Sequence, residues 1–171
     1  MERGMIHLYH GDGKGKTTAA MGLALRAAGS GKRVVIVQFL KDGTSHEVRM
    51  LSKLPGVTVL AGKACSVFTW DMTEEQKKAT RELHDKNLKK ALAASCDLLV
   101  LDEVCGACTQ GLVTQEPLQQ LTEHKPEGLE LVLTGRNPQP FMLEHADYIT
   151  EMVKRRHPFD RGIAAREGIE F

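Results

Sequence analysis

No stretch of this 171-residue sequence is apolar for long enough to cross a bilayer, and no basic-then-apolar leader opens it. Membrane association is therefore not expected, and the expected location is the cytoplasm. There is no surplus of charge: 23 Lys plus Arg stand against 22 Asp plus Glu, so no global field invites a nucleic acid. Cysteine is sparse, with four residues, and in a cytosolic protein these read as thiols or a metal site and not as a disulfide framework. Aromatic residues make up only 5%, and Trp70 is the single tryptophan. Low-complexity segments and internal repeats are missing too, and the length suits one domain, 1–171, with room for a core.

Strand-length apolar runs, separated by helical stretches, fill the chain instead. Ile6 to Tyr9, "RVVIVQFL" (Arg33 to Leu40), "GVTVLA" (Gly56 to Ala61), "DLLVLDE" (Asp97 to Glu103), "LELVLTGR" (Leu129 to Arg136) and "DYITEM" (Asp147 to Met152) read as strands. Helices are expected from Thr17 to Ala28, stopped by Gly29 and Gly31, and from Glu74 to Ala94 behind a Thr73/Gln76 capping box. A short helix is expected at Glu116 to Glu123 and a helical turn around Phe141 to His145. Strands without polar alternation, separated by helices, predict a sheet covered on both faces. The expected fold class is α/β, a P-loop NTPase-like (RecA-like) three-layer sandwich with a mainly parallel central sheet. Ligands of such sheets bind beyond the carboxyl ends of the strands. There the sequence places the Gly11 to Thr17 loop, Gln38 with Lys41, Asp102 with Glu103, and Arg136.

The stretch "HGDGKGKTT", His10 to Thr18, carries most of the chemistry. Gly11, Gly13 and Gly15 allow a tight turn that bares backbone N–H groups toward an anion, and the helix that follows adds its positive end. Lys16 is placed to reach phosphate oxygens, and the Thr17 hydroxyl can ligate Mg²⁺. Strict phosphate loops have a glycine where His10 stands, but the three glycines nearer the lysine remain. Asp102 and Glu103 end an apolar strand as a Walker B pair does, and such an acid holds Mg²⁺ directly or through water. Arg136 can pair bidentately with a phosphate group, or be a surface arginine. The motifs point to Mg·ATP and leave the reaction open, since neither a kinase base nor a water-positioning group is legible.

Several stretches together resemble one family, the P-loop ATP:corrinoid adenosyltransferases of the enteric type. They are "GDGKGKTTAAMGLALRA" (Gly11 to Ala27), "VVIVQFLK" (Val34 to Lys41), "FTW" (Phe68 to Trp70), "LLVLDE" (Leu98 to Glu103), "LTGR" (Leu133 to Arg136), "HADYITEM" (His145 to Met152) and "HPFDRGIAAREGIEF" (His157 to Phe171). They lie in family order and span nearly the whole chain. The resemblance implies transfer of the 5′-deoxyadenosyl group of ATP to a Co(I) corrinoid, with inorganic triphosphate leaving. It implies ATP binding by Gly11, Asp12, Gly13, Lys14, Gly15, Lys16, Thr17, Thr18 and Arg136, with Lys16 and Arg136 also stabilising the leaving group. Thr17, Glu103 and Asp102 become the expected ligands of Mg²⁺ or Mn²⁺. Phe68 and Trp70 become the aromatics against the corrin ring that keep a ligand off the lower face of cobalt; core packing is the alternative for both. A flavoprotein reductant and a homodimer are further expectations from the family.

Some features depart from the pattern. Enteric-type relatives have a polar extension before the first strand, where this sequence has Met1 to Met5; a more exposed corrinoid, or another cover for it, is the expected consequence. Asp12 stands where asparagine is usual, adding a negative charge beside the phosphate loop. Cys105 and Cys108 form a C-x-x-C with Cys65 and Cys96 elsewhere, open to a zinc, a redox or an ordinary buried reading. Structural zinc usually shows two close pairs, which favours the last. Lys41 and Arg26 are candidates for contact with the nucleotide or a corrin side chain, and "KRRHPFDRG" from Lys154 reads as a solvated basic surface or a phosphate contact. Two other functions remain: a P-loop nucleoside kinase, and a non-catalytic ATP-gated corrinoid carrier.

Overall fold

The computed structural model describes residues 3–62, 67 and 69–170. All six expected strands are present: β1 (Ile6–His10), β2 (Val34–Gln38), β3 (Val57–Ala61), β4 (Leu98–Asp102), β5 (Glu130–Gly135) and β6 (Tyr148–Glu151). They form one sheet in the order β3-β2-β4-β5-β1-β6, and every pairing is parallel. The helices are α1 (Lys16–Gly29), α2 (His46–Leu51), α3 (Glu74–Ala93), α4 (Val104–Thr109), α5 (Glu116–Glu123) and α6 (Pro140–His145). Helices α2 and α4 were not expected from the sequence. Each has six residues, under two turns, too short to show a helical period against its surroundings.

Strand alternation divides the apolar residues into two cores. Ile6, Leu8, Val35, Val37, Leu99, Leu101, Leu131 and Leu133 face one side, where they join Leu88 and Ala91 of α3 and most of α4. Val34, Ile36, Leu98, Val100 and Val132 face the other, against Ala20, Met21, Ala24 and Ala27 of α1 and Val48 and Leu51 of α2. The mostly alanine stripe on α1 lets that helix lie close to the sheet. Each fully buried Leu or Val contributes roughly 1.5–3 kcal/mol relative to leaving it exposed. Helix α3 begins at the expected capping box: Gln76 N donates to Thr73 Oγ1 at 3.2 Å, and Thr73 N donates to Gln76 Oε1 at 2.9 Å.

The same alternation positions the chemistry. Gln38, Asp102 and Thr134 share strand parity with Val34, Leu98 and Val132, so they continue the rows on the α1 face. Gln38 and Asp102 are register partners across β2 and β4. All three are fully buried. A polar row thus closes the apolar face at the carboxyl ends of β2, β4 and β5, where α1 begins.

Cys105 and Cys108 lie on α4 with their side chains in the larger core, both essentially inaccessible. Burial pushes both thiols up to about 12, so neither supplies a thiolate near neutrality. Cys105 Sγ points at Met142 Sδ, 3.8 Å away. Both cysteines thus pack as small buried side chains, and among the described residues no three His, Cys, Asp or Glu side chains cluster as a metal site. Cys65 lies outside the described residues. Arg26 is exposed in the last turn of α1, the end opposite the phosphate loop, which makes it a surface residue. Among the described residues no helix is long and apolar enough to cross a membrane.

Candidate nucleotide site

The loop between β1 and α1 is held in place by the chain that follows β6. Gly13 N donates to Met152 O at 2.6 Å, and Met152 N donates to His10 O at 2.8 Å. A Cβ on Gly11 or Gly13 would sit 2.5 or 2.6 Å from Met152 O. These two glycines are thus required by a neighbouring backbone and not only by an anion, and the Gly13 amide is already engaged. The amides left to face an anion belong to the following residues, where Gly15, at φ 113°, turns the chain into the α1 N-terminus. Lys16 is buried and donates to Gly13 O at 2.7 Å, and that burial pulls its ammonium below the usual lysine value.

The Asp12 carboxylate is engaged by the backbone of the C-terminal segment. Its Oδ1 accepts from Lys154 N at 2.9 Å, and that backbone hydrogen bond holds its carboxyl below the ordinary value. The extra charge relative to asparagine is therefore committed to fastening the C-terminal segment. Arg136, beyond β5, is exposed and reaches Asp12 O at 3.5 Å. Lys14 is exposed and reaches Ile169 O at 3.5 Å.

Asp102 is the centre of the polar row. Its Oδ1 accepts from Thr17 Oγ1 at 2.9 Å and Thr134 Oγ1 at 2.7 Å. Its Oδ2 accepts from Gln38 Nε2 at 3.1 Å and Lys41 Nζ at 2.9 Å. Because a carboxylate only accepts, the Gln38 amide must present its nitrogen, which turns Oε1 away. That Oε1 is buried without a hydrogen-bond partner among the described residues. Mg²⁺ takes hard oxygen ligands and keeps several waters. Thr17, Asp102 and Glu103 offer the hard oxygens, and Gln38 Oε1 is the kind of orphaned acceptor that a metal-bound water satisfies. The donor set fits magnesium.

Glu103 adopts the left-handed conformation at φ 62°, unusual for a non-glycine residue, and its N–H donates to Thr134 Oγ1 at 2.9 Å. Burial, then the Asp102 charge, raise its carboxyl above the ordinary 4.5, against Lys41, Lys16 and Arg136. A carboxyl with a raised folded pKa holds its proton more tightly in the fold. The associated stability is present in full below about 4.5 and is lost as pH rises through the raised value. Glu103→Gln should therefore be more stable than the parent at pH 7 in metal-chelating buffer, and its stability should rise less on acidification from neutrality toward 4.5. Denaturant titrations at several pH values test this, and a variant less stable than the parent at pH 7 refutes it.

Beside the polar row lies a cavity of about 1490 Å³, whose lining does not include the fully buried Gln38, Asp102 and Thr134. Asp12 to Thr18 form its floor with Lys41, Glu103 and Arg136; Met21 and Leu25 of α1 and Met50 of α2 form an apolar wall. The C-terminal segment returns over it with Lys154, His157, Phe159 and Ile169. The basic stretch from Lys154 thus reaches the site, which its composition left open. Trp70, in a single turn of 3-10 helix at Thr69–Asp71, is 75% exposed and is not among the residues that line the cavity; Phe68 lies outside the described residues. Sequence reasoning missed Thr134 and the wall from α2. A threonine at the carboxyl end of a strand, on the same parity as Asp102, was the available signal for Thr134.

A wholly parallel sheet, a glycine-rich loop leading into the first helix, and a buried acid on the Thr17 hydroxyl together define a P-loop nucleotide-binding protein. Comparison with known proteins refines the class. The family model described as ATP:corrinoid adenosyltransferase BtuR/CobO/CobP matches residues 2–171, and the chain belongs to that family of transferases. It is 35% identical over 172 residues to the corrinoid adenosyltransferase of Escherichia coli (strain K12), covering 99% of this chain and 87% of that one. It is 34% identical to corrinoid adenosyltransferase CobA of Salmonella typhimurium (99% and 87% covered) and 33% identical to the Pseudomonas aeruginosa corrinoid adenosyltransferase (99% and 85% covered).

Proposed function

We propose that this chain transfers the 5′-deoxyadenosyl group of Mg·ATP to the cobalt of a reduced, Co(I) corrinoid and releases inorganic triphosphate. The observation that carries the proposal is the family match over 2–171, on a chain whose phosphate loop, Lys16 and Arg136 line one cavity. The cobalt electron pair forms the Co–C5′ bond as the C5′–O bond breaks, and the pair of the broken bond leaves on triphosphate. Cobalt is the nucleophile, so no catalytic base is required. The enzyme's task is to stabilise charge on the leaving group and to hold C5′ in line between cobalt and oxygen. The free amides at the start of α1, with Lys16 and Arg136, meet the triphosphate. Thr17, Asp102 and Glu103 would hold Mg²⁺, which would neutralise part of the triphosphate charge. The cavity volume exceeds the roughly 300–1,000 Å³ usual for a single small ligand, leaving space for an edge of the second substrate.

In this reading one domain, 1–171, carries the whole activity, in the cytoplasm and as a homodimer, with a flavoprotein as reductant. Phe68 and Trp70 form the apolar surface against the lower face of the corrin. Support comes from the exposure of Trp70, which is not the environment of a core residue. Trp70→Ala should slow the reaction that starts from Co(II) at least tenfold more than the reaction from chemically prereduced Co(I), with stability changed by less than about 0.5 kcal/mol. Equal losses in the two assays would remove the lower-face role.

The deciding experiment is one anaerobic reaction with Mg·ATP, cobalamin and a strong chemical reductant. The expected products are a light-sensitive adenosylated corrinoid and an equal amount of inorganic triphosphate. ADP formed without corrinoid would indicate a kinase or ATPase. Corrinoid binding with no ATP consumed would indicate a carrier.

A further inference from the structure

Lys41 directs its ammonium to two of the oxygens that the Mg·ATP reading gives to the metal, and the inference rests on that reading. Nζ lies 3.0 Å from Thr17 Oγ1 and 2.9 Å from Asp102 Oδ2. With Gln38, Thr134 and Thr17 also donating, the four or so lone-pair positions of the Asp102 carboxylate are taken. A divalent ion can engage Asp102 only if a donor leaves. Gln38 and Thr134 are fully buried on central strands, and Thr17 opens α1. Thr17 and Lys41 are both only partly buried and both border the cavity, but Thr17 is fixed in the first turn of α1, whereas the Lys41 side chain, 33% accessible, sits on a flexible stem.

The backbone around Lys41 is fixed. Phe39 N donates to Asp102 O at 2.9 Å, and Gly62 N donates to Lys41 O at 3.2 Å. Leu40 is held in the left-handed conformation at φ 61°, its N–H donating to Nε2 of buried His84 at 3.2 Å; His84 Nδ1 in turn donates to Leu112 O at 2.8 Å. Burial keeps that imidazole neutral by lowering its pKa, in agreement with an accepting Nε2. The fold therefore aims Lys41 at Asp102 and leaves only its side chain to move. Lysine suits this task, being a compact charge on a flexible stem.

We propose that Lys41 is an internal cation that holds the metal position until nucleotide arrives. It keeps Thr17 and Asp102 aligned and disfavours Mg²⁺ alone. When Mg·ATP enters, the divalent ion replaces the ammonium, and the triphosphate charge in the cavity draws the released lysine toward it. Metal and nucleotide are thereby taken up together, and Lys41 acts as a positioning residue that couples them.

The test is Mn²⁺ binding to nucleotide-free protein, read from the electron paramagnetic resonance signal of free Mn²⁺. Lys41→Met and Lys41→Gln should each bind Mn²⁺ at least about tenfold more tightly than the parent, a change of about 1.4 kcal/mol. Lys41→Arg, which keeps the charge, should stay weak, and Asp102→Asn added to Lys41→Met should abolish the gain. A gain in binding cannot come from failure to fold. Equal Mn²⁺ affinities for the parent and both neutral variants overturn the proposal. A parallel titration with Mn·ATP separates the two ideas: parent binding of Mn·ATP without a gain in the variants defeats the role of Lys41 alone. A parent that does not bind Mn·ATP defeats the nucleotide reading and the Lys41 proposal with it.

Discussion

Lys16→Ala is expected to lower kcat/KM for adenosyl transfer by about 10²–10³-fold, the usual cost of removing one donor aimed at developing transition-state charge. The size follows from burial. Lys16 is 8% exposed, and loss of hydration already pulls its ammonium below the usual lysine value. A charge partly stripped of water acts on a neighbouring phosphate through a lower effective dielectric than a solvated one. In the structure Lys16 donates to Gly13 O, a neutral acceptor that a triphosphate oxygen outbids. The assay should start from prereduced Co(I), so that cobalt reduction does not mask the transfer step. Catalysis unchanged by the substitution would remove Lys16 from the machinery.

Asp102→Ala should be the most destabilising single change at the site, by about 3 kcal/mol. The carboxylate is fully buried and accepts four hydrogen bonds. Its removal leaves Gln38 and Thr134 with unsatisfied polar groups in the interior and leaves the Lys41 ammonium without its counter-charge. The Lys41 contribution is modest, because a side chain one third exposed can turn toward water. For a domain of this size the expected loss corresponds to a melting temperature lower by roughly 6–12 °C. Asp102→Asn should retain most of that stability, since the amide oxygen still accepts from two donors, while activity falls with the loss of the anionic metal ligand. A melting temperature for Asp102→Ala within about 2 °C of the parent would show that the donors find other partners.

Much of the fold was legible because its signals are local. Apolar runs of strand length, the Thr73/Gln76 capping box and the glycines around the end of α1 each act within a few residues, and all correspond to elements of the structure. Helices α2 and α4 were not, because six residues carry too little periodicity and their two buried faces are specified by what packs on them. For the site, the glycine-rich loop and the Asp102–Glu103 pair could be read from spacing, but two roles changed. Gly11 and Gly13 are needed to make room for the Met152 backbone, which is remote in sequence and brought close by the β1–β6 pairing, and Asp12 is tied to Lys154. Lys41 was a minor candidate, because nothing in "FLKDG" reveals a left-handed leucine pinned by a histidine of α3.

The chain's order of residues was enough to specify a parallel α/β sheet, a phosphate loop and a family, since these depend on local pattern and on motifs read in series. Which donors surround Asp102, where the lysines point, and what closes the cavity depend on the strand order β3-β2-β4-β5-β1-β6 and on strand parity. That order makes β5 the neighbour of both β1 and β4, which brings Thr17, Asp102 and Thr134 within hydrogen-bonding distance although they lie 85 and 32 residues apart in sequence. Such contacts are set by which elements the buried faces select as neighbours, and no local propensity encodes them.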